Sequence, residues 1–192
     1  MIRDLTLIFY FGKKYYIILM GVEVMILNFK LVKIDYKYCD YLRKYDSRVM
    51  YNNGKKELRP FVGVLFIINE CEYFAPLTSP KIKHLKMKNT IDFMKIDHGI
   101  LGAINFNNMI PVWKRNYKII DINKDLNDDK KYQKLLSEQL SWLNSNNIQV
   151  RNKSYKLYSA YKNNKLSNNI QNRCCNYLLL EKVGKEYNEY ND

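Results

Sequence analysis

Residues 61–80 constrain the fold more than any other stretch. A continuous apolar run of strand length, residues 61–68, is followed within hairpin distance by a second run, residues 72–77. Pro76 and Pro80 bracket Leu77-Thr78-Ser79 and cannot donate to a ladder, so the second strand is expected to end there, at an edge or rim. Any sheet built on this hairpin therefore presents Thr78 and Ser79 on an exposed turn.

The flanking sequence extends the pattern. Residues 29–34 read as a strand, and Asp35 as the N-cap of an amphipathic helix with Tyr38, Tyr41, Leu42 and Tyr45 at i, i+3, i+4 and i+7. That stripe is expected to be core at Tyr41 and Tyr45, although tyrosines of this helix, Tyr36 among them, could also stack on unpaired bases. Asn52-Asn53-Gly54 marks a loop bearing Lys55 and Lys56, and Pro60 biases Arg59 toward an extended conformation. A basic loop with Lys81, Lys83, His84, Lys86 and Lys88 leads to expected strands at 91–96, 101–106 and 117–122, with Pro111 breaking the stretch between the last two.

From residue 132 the period changes to that of helices. Tyr132, Leu135, Leu136, Leu140 and Leu143 keep one stripe, and Leu157, Tyr158 and Tyr161 begin another. A third helix is expected over 169–183, carrying the Cys174-Cys175 pair as packing residues and ending at Gly184. Strands followed by helices around one continuous core make an α+β domain.

A chain of 192 residues, 47% hydrophobic and 14% aromatic, can bury such a core. Its formal charge of +13 sets up a field that concentrates polyanions, which points toward nucleic acid. The abundance of Lys, Asn, Ile and Tyr is equally the signature of an AT-rich coding sequence, so charge alone leaves the partner open. Cys39, Cys71, Cys174 and Cys175 include a vicinal pair unsuited to bridging and no C-x-x-C motif, which favours reduced thiols. With only two histidines, no zinc site is expected.

At the N-terminus, Gly12-Lys13-Lys14 divides two apolar runs, neither of which approaches the roughly 18–20 residues of a membrane span. Residues 1–24 read as an extension outside the natural protein, since Gly21-Val22-Glu23 would be encoded by a purine-rich stretch just ahead of Met25. The single domain is then 25–192, cytoplasmic.

The chemistry available to Thr78-Ser79-Pro80-Lys81 is RNA scission by the ribose 2′-hydroxyl. That reaction needs a base for the attacking oxygen, donors for the phosphorane and an acid for the leaving group. Two hydroxyls and an ammonium on one rim supply these parts, and cations crowded near a lysine would lower its pKa. Spacing alone favours an ordinary solvated turn, and His84 a surface or packing role.

Several further segments occur in a familiar order. They are Tyr41-Leu42-Arg43 with Asp46 and Val49, Arg59-Pro60-Phe61-Val62-Gly63-Val64, and Tyr73-Phe74-Ala75-Pro76-Leu77-Thr78-Ser79-Pro80-Lys81 with His84. Leu101-Gly102, Ile104-Asn105, Met109-Ile110-Pro111-Val112 and Cys175-Asn176-Tyr177 follow. Over residues 28–181 this series resembles the ToxN/AbiQ family of type III toxin–antitoxin endoribonucleases.

The resemblance implies a compact, highly twisted antiparallel sheet or barrel like that of MazF/PemK toxins, with helices packed around it. It implies cleavage of mRNA, at adenine-rich sites, without metal or other cofactor, leaving 2′,3′-cyclic phosphate and 5′-hydroxyl ends. It also implies inhibition by a tandem-repeat RNA antitoxin, which the toxin itself cleaves into pseudoknot units that close the protein into a ring-like assembly, and a role in abortive infection. By the same likeness Thr78, Ser79, Lys81 and Arg59 fall in the active site. Lys81 serves as acid or base, Thr78 and Ser79 as phosphate donors, and Arg59, where some members carry lysine, as a phosphate clamp. Lys55 stands where some relatives use a tyrosine. Lys55, Lys56, Lys83, His84, Lys86, Lys88 and Tyr36 are the expected RNA contacts. A non-catalytic RNA-binding protein is the alternative that composition supports equally, and a membrane-active toxin using the N-terminal apolar segment is a weaker one.

Overall fold

The computed structural model describes residues 7–11, 14–19, 22–26, 28–51, 60–68, 71–125 and 129–190. The two N-terminal apolar runs form strands. β1 (Leu7–Phe11), β2 (Lys14–Leu19) and β3 (Val22–Ile26) pair as an antiparallel meander separate from the main sheet. No helix among the described residues is long and apolar enough to cross a membrane.

β4 (Lys30–Ile34) runs into α1 (Tyr36–Tyr45), whose first turn is capped as expected: the Asp35 carboxylate accepts from the Lys37 N–H at 2.7 Å. Tyr38, Cys39 and Leu42 are buried, whereas Tyr45, expected in the core, is exposed and leans on the Tyr41 ring at 5.3 Å. Next come β5 (Phe61–Gly63), β6 (Ile67–Ile68) and β7 (Cys71–Thr78), then a one-and-a-half-turn helix, α2 (Ile82–Lys86), where a loop is expected. β8 (Phe93–Lys95), β9 (Ala103–Asn105), β10 (Ile110–Val112) and β11 (Tyr117–Ile119) complete the sheet. The remainder is helical: α3 (Ile122–Asp125), α4 (Lys130–Ser145), α5 (Asn147–Lys162), α6 (Asn168–Gln171) and α7 (Tyr177–Tyr190).

All pairings among the described residues are antiparallel. The main sheet runs β11-β4-β5-β7-β9-β8, with β6 and β10 joining it through β7. β7 is thus the spine. Its first residues pair with β6 and β10, and its last four with β5 and β9, through Ala75↔Val62, Pro76↔Phe61, Leu77↔Ile104 and Thr78↔Ala103. The strand ends at Thr78, two residues before Pro80, whose missing N–H cannot extend it, while Pro76 is accommodated within the strand opposite Phe61.

Five expectations are corrected here. The run 61–68 is two strands, because the Arg151 guanidinium of α5 takes the carbonyls of Val64 and Leu65 (the latter at 2.8 Å), drawing them away from a ladder. Pro111 does not break the chain's β-structure: it sits within β10 opposite Tyr73, and its carbonyl accepts from the Tyr38 hydroxyl at 2.9 Å. Gly184 does not end the last helix. α7 runs through it, and the glycine serves packing instead: a Cβ there would lie 2.6 Å from both the Trp113 ring and the Tyr38 oxygen. The helix expected over 169–183 is instead α6 and α7, and the buried Cys174 and Cys175 lie in the turn between them. Similarly, α5 begins at Asn147, ten residues ahead of the stripe that announces it.

One aromatic cluster clamps the helical third to the sheet. Phe66 stacks on Tyr73 at 4.5 Å, and Tyr158 stands edge-on to Tyr73 at 5.3 Å. The hydroxyls of Tyr73 and Tyr158 both donate to Glu181 Oε1, at 2.6 and 2.8 Å, so these phenols are buried without orphaned protons. Burying each such ring stabilises the fold by roughly 1.5–3 kcal/mol.

Candidate active site

Thr78 is the last residue of β7, and its hydroxyl donates to the Ala103 carbonyl across the ladder at 3.3 Å, a long bond that exchanges readily. Ser79, Pro80 and Lys81 are exposed and turn the chain outward. Lys81 is the N-cap of α2 with an extended backbone (φ −142°, ψ 144°), and its carbonyl accepts from the His84 N–H at 2.8 Å. The residue as a whole is exposed to solvent. Lys83, Lys86 and Lys88 are exposed beyond it, and Lys95 reaches the Leu85 carbonyl at 3.5 Å, so one rim carries hydroxyls flanked by cations.

A second loop supports this rim from beneath. Residues 97–102 bend sharply, with positive φ at Asp97, His98, Gly99 and Gly102. At Gly99 a Cβ would lie 2.8 Å from the His84 carbonyl oxygen, and at Gly102 a Cβ would lie 2.0 Å from that of Thr78. Both glycines therefore let two backbones touch where no other residue fits. Gln139 of α4, 1% exposed, then ties the loops together: its amide donates to the Leu101 carbonyl at 2.6 Å and the Thr78 carbonyl at 3.4 Å.

The expected site residues separate into four groups. Thr78, Ser79 and Lys81 share the rim, with Lys83, Lys86 and Lys88 continuing it. His84 is corrected: it is 2% exposed, packed 6.0 Å from Phe93, and its Nδ1 is buried without a protein partner, so it supports α2 rather than facing RNA. Burial, with Lys83 and Lys81 nearby, holds its pKa below the usual imidazole value. Tyr36, 40% exposed, stands on the first turn of α1, which packs on α7. Lys55, Lys56 and Arg59 lie outside the described residues. Pro60, which follows Arg59, accepts from the Leu77 N–H at 3.0 Å.

Gln139 is the site residue that sequence reading missed. A signal existed: a polar side chain interrupts the apolar stripe Leu136, Leu140 and Leu143 on the buried face of α4.

Residues 30–185 match the family model described as toxin ToxN of type III toxin–antitoxin systems. The chain is 35% identical to endoribonuclease ToxN of Bacillus thuringiensis subsp. kurstaki, over 84% of this chain and 86% of the relative. It is 27% identical to endoribonuclease AbiQ of Lactococcus lactis subsp. lactis, over 87% and 93% respectively. Among solved structures, one from work on selective toxin inhibition by a non-coding RNA pseudoknot superposes with a TM-score of 0.74 at 35% identity, covering 85% of this chain and 99% of that one. The lactococcal anti-phage endoribonuclease AbiQ superposes with a TM-score of 0.72 at 26% identity, over 85% and 99%.

Proposed function

Because the chain belongs to the ToxN family of type III toxin–antitoxin toxins, we propose that the Thr78–Lys81 rim is its endoribonuclease centre. The reaction is transesterification. The ribose 2′-oxygen loses its proton and attacks the adjacent phosphorus, and the 5′-oxygen leaves with a proton, giving a 2′,3′-cyclic phosphate and a 5′-hydroxyl. No metal is required, since the attacker is the substrate's own sugar.

Lys81 is the proton-transferring group, as base or acid. Ser79 and Thr78 donate to the non-bridging oxygens, where charge builds in the phosphorane. Thr78 can turn its hydroxyl from Ala103 toward a phosphate, because a 3.3 Å bond gives up little. Arg59 clamps phosphate, as guanidinium is a fork of donors and a poor base. Lys83, Lys86 and Lys88 neutralise neighbouring phosphates and release counterions. The observation that supports this reading most is the rim's rigidity: Thr78 is held by the ladder to β9, the Gly102 contact and Gln139.

The RNA that restrains the toxin is proposed to be a processed tandem-repeat pseudoknot bound over the same rim, with adenine-rich mRNA as substrate and residues 25–192 as the acting domain. Purified chain is incubated with A-rich RNA in EDTA beside Ser79→Ala and Lys81→Ala. Cleavage by the parent, with a loss of at least about 100-fold in each folded variant, is expected. Binding without cleavage by the parent favours the non-catalytic reading instead.

A further inference from the structure

At the far end of β7 lies a cleft of about 530 Å³ with no part in the chemistry above. Glu72, on its wall, is six residues before Thr78, about 20 Å along the strand. The cleft opens between β4, β5, β7 and β11, with the Arg151 guanidinium of α5 contributing positive field. Its size is that of small-molecule pockets.

Its chemistry is unlike that of a packing defect. The floor is apolar, made by the Phe74 and Tyr117 rings 4.8 Å apart, and Gly63 leaves room for it, since a Cβ there would fall 2.1 Å from the Phe74 ring. The Tyr117 phenol lies beside the Glu72 carboxylate, and burial, with that carboxylate as neighbour, raises the phenol's pKa and keeps it protonated. Oε2 of that carboxylate is buried without a protein partner. Lys30 and Lys114 stand exposed at the mouth.

An orphan acceptor inside, apolar walls and two ammonium groups outside match a flat heterocycle that offers an N–H and carries a phosphate. Uracil is the poor match among bases, because its N3–H is flanked by two carbonyl oxygens that a carboxylate repels. Adenine, cytosine and guanine each present an exocyclic amino group. The chain's charge of +13 favours the polymer over the free nucleotide.

We propose that this cleft is a second RNA-binding site, which takes one unstacked, amino-bearing base of a single strand on Glu72 and holds its phosphate with Lys30 and Lys114. It rests on the reading of the chain as an RNA-acting protein. A strand held there and at the Thr78 rim is gripped at two points about 20 Å apart along β7, so selection of sequence extends beyond the scissile bond.

The test uses the full chain carrying Lys81→Ala, which leaves RNA intact, and ten-nucleotide (CA)5 and U10 single strands. Fluorescence anisotropy is expected to show about fivefold tighter binding of (CA)5, the worth of one buried hydrogen bond. Glu72→Gln should abolish that preference, because the amide also donates to uracil carbonyls. Ile67→Trp, at a half-exposed position on the cleft wall, should weaken both strands without touching the core. An unchanged preference in Glu72→Gln together with unaltered binding in Ile67→Trp overturns the second site, as does competition by free 5′-CMP at oligonucleotide concentrations. Cleavage by the unaltered chain is scored separately. If that chain cleaves while Glu72 proves irrelevant, only the second site fails; Glu72-dependent binding with no cleavage by that chain overturns the enzyme instead.

Discussion

Replacing Gln139 by Met separates catalysis from stability. The thioether fills nearly the same volume but donates nothing, so the Leu101 and Thr78 carbonyls lose bonds of 2.6 and 3.4 Å. Losing one good buried bond and one marginal one costs roughly 1–3 kcal/mol. Against that, the substitution also removes Gln139 Oε1, which is buried without a protein partner and whose desolvation carries a similar penalty. The two effects nearly cancel, to within about 1 kcal/mol, a shift of only about 2–4 °C in Tm for a chain of this size. The rim has no such compensation. Freed from α4, Thr78 and Ser79 shift relative to Lys81, and a displacement of about 1 Å costs on the order of 100-fold in rate. Single-turnover cleavage should therefore fall about 10- to 100-fold in kcat with KM little changed, while thermal unfolding barely moves. Wild-type kcat in a folded Gln139→Met protein would show that the rim does not depend on this amide.

Gly102→Ala should abolish cleavage, because its Cβ would press on the Thr78 carbonyl at a φ of +99°, and an active variant would refute that contact. Gly184→Ala should lower stability by about 1–3 kcal/mol in urea titration despite the better helix propensity of alanine, since the methyl meets Trp113 and Tyr38. His84 has a folded pKa below its unfolded 6.5, so the unfolded chain binds the proton first. The stability it contributes is complete above pH 6.5 and is lost as pH falls through the folded value. Melting scans from pH 7.5 to 5 should show a decline that His84→Leu flattens; an equal decline in the variant would assign it to other groups.

The hairpin, the proline-bounded rim and the Asp35 cap are legible in sequence because each rests on a local pattern: two apolar runs within turn distance, a missing N–H, an oxygen placed at a helix N-terminus. What was not legible depends on partners distant in the chain. Residues 61–68 look like one strand because apolarity does not reveal that Arg151 captures the carbonyls of Val64 and Leu65. Gly184 looks like a helix stop, since local rules do not see Trp113 and Tyr38 across the interface. His84, surrounded by lysines, reads as surface, yet the close approach of Gly99 seals it in. The site shows the same division. Thr78, Ser79 and Lys81 are adjacent in the chain and easily grouped, whereas Gln139 reaches Thr78 from 61 residues away.

The most direct test reads the chemistry of the cut ends. RNA digested in EDTA by the full chain should carry 2′,3′-cyclic phosphate on the upstream fragment and 5′-hydroxyl on the downstream one, and folded Lys81→Ala should produce neither. Ends bearing 3′-hydroxyl and 5′-phosphate, or undiminished cutting by Lys81→Ala, would contradict a reaction driven from this rim by the substrate's own sugar oxygen.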